Sequence, residues 1–189
     1  MLSAMSSPVM TSHPADSSHP ADPAGERGAG GGVHPRILEA ILWGGTVAGI
    51  LDISDAIIVS GFYGAAPARV LQSVASGVLG RASFGGGIST AALGLGLHFF
   101  IAFSVATVYV LASLKLPLLL RRPLLSGAIY GVIVWQVMRQ IVVPLSLASQ
   151  GRLTLIGLLN GLFAHIVCVG IPIALAAKRT ASPTWRQTI

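Results

Sequence analysis

Four apolar runs, each about as long as a lipid bilayer is thick, occupy residues 38 to 177, and nearly all charge lies outside them. This restricts the fold sharply. Backbone in lipid must satisfy its own hydrogen bonds, so such runs read as transmembrane helices; a β-barrel would show shorter, alternating segments. With 53% hydrophobic and only 10% charged residues, and a mean hydropathy of +0.77, a water-soluble fold could not cover its apolar surface. The expected fold class is all-α, a four-helix transmembrane bundle with spans Leu38–Ser60, Leu93–Ser113, Leu124–Leu145 and Leu153–Ala176.

The flanks differ in kind. Residues 1–35 are rich in Ser, Pro, Ala, Gly and His and have little to bury, which predicts a disordered tail. The repeated His13-Pro14-Ala15-Asp16 and His19-Pro20-Ala21-Asp22 reads as a low-complexity duplication rather than a metal site, because a floppy chain lacks preorganised geometry. Residues 36–179 form the membrane domain and 180–189 a short tail. No basic segment followed by an apolar core opens the chain, so no cleavable signal peptide is expected. The net charge of +6 does not point to nucleic acid, since the basic residues cluster at span ends. Arg27, Arg36, Lys115, Arg121, Arg122, Lys178, Arg179 and Arg186 fall on one side, against Arg69, Arg81 and Arg152 on the other. The positive-inside rule then makes both termini cytoplasmic.

Between spans one and two, Val70, Leu71, Val74, Val78 and Leu79 share one helical face, with Arg69, Gln72, Ser73, Ser76 and Arg81 elsewhere. This predicts an amphipathic helix, interfacial or re-entrant. Each span carries small residues four apart: Gly45 and Gly49, Ala102 and Ala106, Gly127 and Gly131, Gly157 and Gly161. Such strips let helix backbones approach closely in lipid, where no hydrophobic effect drives association.

The chemically informative residues are the polar ones inside the spans: Asp52, Asp55, His98, Gln136, Arg139, Gln140, Asn160 and His165. A mid-span charge costs on the order of 3 kcal/mol, so such residues face the bundle interior and pair. A rise of about 1.5 Å per residue puts Asp52, Arg139, His98 and Asn160 roughly 21–24 Å from the cytoplasmic ends of their spans, with Gln136 near 18 Å and His165 near 16 Å. One shared layer is the economical reading, with Asp52–Arg139 as its expected ion pair. A structural lock, a proton- or solute-handling site and haem ligation by His98 and His165 compete for this cluster. Haem is disfavoured by the difference of about 6 Å between the two imidazole heights, so no cofactor and no metal are expected.

No enzyme motif is present, and Cys168 sits among apolar neighbours as a packing residue. His98-Phe99-Phe100-Ile101-Ala102-Phe103 followed by Tyr109, Gly127-Ala128 leading to Pro144-Leu145, and Gly161-Leu162-Phe163-Ala164-His165-Ile166-Val167 resemble the YagU-like group of small bacterial inner-membrane proteins over residues 93–179. The resemblance implies a multi-spanning protein of the bacterial inner membrane without an assigned activity, and it picks out His98 and His165. The first expectation is a non-enzymatic structural or stress-adaptation role. The alternatives are a small proton- or solute-handling transporter or channel module, and an accessory subunit. The expected partners are the lipid bilayer and either further copies of the chain or a larger membrane complex.

Overall fold

The computed structural model describes residues 34–181, all of whose regular structure is helical. The expected N-terminal tail up to residue 33, its duplicated tetrapeptide and the last eight residues lie outside the described residues. Helix α1 is His34–Phe62, α2 is Pro67–Leu79 and α3 is Gly87–Lys115. A short α4, Leu118–Arg121, lies in the turn before span three. Span three runs Pro123–Leu145 as α5 (Pro123–Val137), a widened π-turn at Met138–Val142 and α6 (Val143–Leu145). Span four runs Leu155–Thr180 as α7 (Leu155–Phe163), a second π stretch at Ala164–Gly170 and α8 (Ile171–Thr180). Four helices are thus long and apolar enough to cross a membrane, as a multi-pass membrane protein requires.

Alanines fill much of the helix interface, beside the buried Tyr109, Val110 and Ile173. Ala40, Ala48, Ala106, Ala174 and Ala177 are fully buried, while Trp43, Ile58, Phe100 and Leu124 point outward. Lipid permits this, because tails solvate a Leu or Phe as well as a protein core does and small residues let backbones meet. Gly45 and Gly49 form a flat strip under the rings of Phe103 and Phe99. Gly127 and Gly131 lie against the backbone of Gly170–Ile171 and His165–Ile166, so spans three and four touch main chain to main chain. Gly161 receives the Trp135 indole.

Gly157 departs from the packing role expected of it. A Cβ there would meet only the Thr154 hydroxyl, which caps α7 by accepting from the Gly157 N–H (3.1 Å). Gly157 opens its helix instead of packing it. Conversely, Gly94, outside any four-spaced pair chosen from sequence, lies directly under the Leu71 carbonyl and lets α2 settle onto α3.

Helix α2 turns only part of its apolar face inward. It buries Val70, Gln72, Ala75 and Ser76 and leaves Val78 and Leu79 exposed. Beside Val70 the inward face carries Gln72, whose Nε2 donates to Gly87 O (3.0 Å) and Thr90 Oγ1 (3.4 Å). The Leu147 N–H donates to Gly77 O (3.0 Å), joining α2 to the loop after span three. The helix is a cover fastened at two places.

At the other end, the buried Tyr109 hydroxyl meets Ser126 Oγ (2.9 Å) and donates to Leu119 O (3.2 Å), fixing the turn that contains α4. Tyr130 donates to Val105 O (2.7 Å), tying span three to α3. Tyr130→Phe removes that bond without leaving a cavity. It is expected to lower stability by about 0.5–1 kcal/mol in a detergent melt, with unchanged elution volume.

Candidate functional site

Asp52 of α1, His98 of α3, Arg139 of span three and His165 of span four line one cavity of ≈430 Å³. Val74 of α2 and Gln150 of the loop between spans three and four complete its wall. Counted along each helix at about 1.5 Å per residue, the four side chains originate about 22–26 Å from the same end of the bundle. These four residues lie at similar depth, His165 included, because span four extends to Thr180.

Why these groups converge is local. Gly49 lets α3 approach α1 closely, and its carbonyl meets His98 Nε2 at 2.8 Å. Both π segments lie at cavity residues: Arg139 is in one and His165 in the other. A π-turn inserts residues into the helical ladder and is frequently found at functional sites. Within the first, the Arg139 carbonyl accepts a bond from Gln150 Nε2 (2.7 Å). His165 Nδ1 meets the Gly161 carbonyl at 2.9 Å.

A carbonyl can only accept, so the imidazole nitrogen facing it carries the proton. That leaves His98 Nδ1 and His165 Nε2 as acceptors in the neutral rings. Each histidine is anchored by one nitrogen and able to take a proton on the other. Asp52 lies within electrostatic range of His165, His98 and Asp55.

The other predicted residues separate. Asp52 and Arg139 share the cavity, yet no ion pair joins them among the described residues; the imidazoles are the groups around the carboxylate. Asp55 pairs instead with Asn160, whose Nδ2 donates to Oδ2 at 3.2 Å and links spans one and four. Gln136 leaves the cluster altogether: it and Gln140 are exposed on the outer surface of span three. Helix α5 packs through Gly127, Gly131 and Val134, and Gln136 lies on the opposite side of it, whereas Arg139 lies in the π-turn that follows.

Gln150 went unrecognised in the sequence because it lies in a loop, with no periodicity to aim it. Cys168 is buried and free. Among the described residues, no group of three or more His, Cys, Asp or Glu side chains is placed to hold a metal ion. Comparison with known proteins gave no match to a family model, a curated protein or a solved structure.

Proposed function

We propose that this membrane protein handles protons together with a small polar solute at the cavity formed by Asp52, His98, Arg139 and His165. The carrying observation is a ≈430 Å³ space within the membrane domain, walled by ionisable groups from four different helices. The volume falls in the range of small-ligand sites, and ionisable groups inside spans mark solute or proton paths. Arg139 would meet an anionic group of the solute, while Asp52 and the two imidazoles exchange the proton. No chemical reaction is assigned to the site. The positive-inside distribution supports cytoplasmic termini, and the resemblance to the YagU-like group supports a bacterial inner membrane.

A structural lock is the second reading, favoured by the Asn160–Asp55 and His98–Gly49 bonds between helices. Proteoliposomes carrying a pH-sensitive dye separate the two. Handling of protons predicts wild-type flux that Asp52→Asn and Arg139→Gln each reduce at least about tenfold at normal folded yield. A lock predicts no wild-type flux and reduced yield for both changes.

A further inference from the structure

The groove between the start of α1 and the end of α8 is a second concave site, of ≈780 Å³. On α1, Arg36, Glu39 and Trp43 follow at helical spacing; on α8, Pro172, Leu175 and Arg179 face them. Charge is confined to the outer end and apolar surface to the deeper part, with the Trp43 indole between, 62% exposed. This is the layering of a phospholipid, in which a charged headgroup sits above glycerol and acyl chain. The three charges are of both signs, and all three side chains are exposed. We infer that the groove binds a zwitterionic phospholipid bearing a primary ammonium, its phosphate on Arg36 and Arg179 and its ethanolamine nitrogen on Glu39. The uncharged glycerol of phosphatidylglycerol offers Glu39 no cation. A choline headgroup has no N–H to donate.

The test is native mass spectrometry of the full chain in mild detergent, titrated separately with phosphatidylethanolamine, phosphatidylcholine and phosphatidylglycerol. Ethanolamine lipid should be retained in preference to the other two. Arg36→Gln and Arg179→Gln should each weaken retention of every headgroup about fivefold. Glu39→Gln should remove the preference for ethanolamine over choline while leaving the phosphate contribution. Unchanged retention in the arginine variants, preference for phosphatidylglycerol, or displacement by excess inorganic phosphate would overturn the inference. All three residues are at the surface, and an unchanged elution profile confirms that the variants fold.

Gln136 raises a separate question. Its amide is exposed about 20 Å along span three from Pro123, well inside the hydrophobic layer. No hydrogen bond to a described residue satisfies it. Ile129 and Ile133 are exposed on the same regular helix, seven and three residues before Gln136, the spacing of a helix-pair seam. A carboxamide carries both donors and an acceptor, so it is complementary to itself. We propose that a second copy of this chain covers the face, with Gln136 bonded to its counterpart across a two-fold axis. Fluorescence energy transfer between labelled copies in phosphatidylcholine vesicles should show dimers whose dissociation constant rises about fivefold in Gln136→Leu. Gln136→Cys should cross-link to itself on oxidation. Monomers at every protein-to-lipid ratio, or undiminished association of Gln136→Leu, would refute it.

Discussion

Gly131→Ala should be among the most damaging single-methyl additions in the protein. A Cβ at Gly131 would run into the carbonyl of His165 and the Cα of Ile166. Both are main chain, so no rotamer change relieves the clash and spans three and four must separate. Overpacking that moves backbone costs about 3 kcal/mol, or roughly 5–10 °C in a detergent melt. Gly170→Ala should behave alike, because its Cβ would strike the Gly127 carbonyl across the same crossing. Since both changes demand the same separation, the double variant should fall short of the sum. Gly157→Ala is the control. It meets only its own cap, and Ala favours helix over Gly by up to about 1 kcal/mol. Equal losses for Gly131→Ala and Gly157→Ala would contradict the main-chain contact described here.

The same contacts explain what the sequence could and could not reveal. Lipid imposes length and apolarity on a span, so all four were legible, and the depth of Asp52, His98 and Arg139 followed from helical rise alone. Direction around the helix was another matter. Helix α5 turns Gly127, Gly131 and Val134 inward, which leaves Gln136 on the far side, while Arg139, in a π-turn that the composition does not mark, lines the cavity. Four-residue spacing of small residues identified Gly127 and Gly131 correctly but also selected Gly157, because spacing describes a strip and not what lies opposite it. Gly170 and Ala174 have the same spacing and make the real contact on span four. Helix α2 was misread for a different reason. Sorting apolar from polar faces assumes water outside, whereas Val78 and Leu79 can face lipid and Gln72 can face protein carbonyls.

The other large effect concerns the two imidazoles, and the substitutions can be chosen to keep their anchoring bonds. Gln places an N–H near the position of His98 Nε2, which meets the Gly49 carbonyl; Asn does so near His165 Nδ1, which meets the Gly161 carbonyl. His98→Gln and His165→Asn therefore retain a donor at each contact and lose only the nitrogen that accepts a proton. If that nitrogen carries protons through the cavity, each variant should fold normally and lose at least about tenfold of the proteoliposome flux. The double variant should lose at least as much flux as either single change, because both proton-accepting nitrogens are then gone. The charged groups that share the cavity, Asp52 and Arg139, stay in place throughout, so lost flux is attributable to the rings. His98→Leu provides the converse: it removes the bond to Gly49 and should lower stability by about 1 kcal/mol as well as flux. A wild-type protein that passes no protons, with His98→Gln as stable as wild type and His98→Leu less so, would reduce the cluster to a hydrogen-bonded brace between spans one and two.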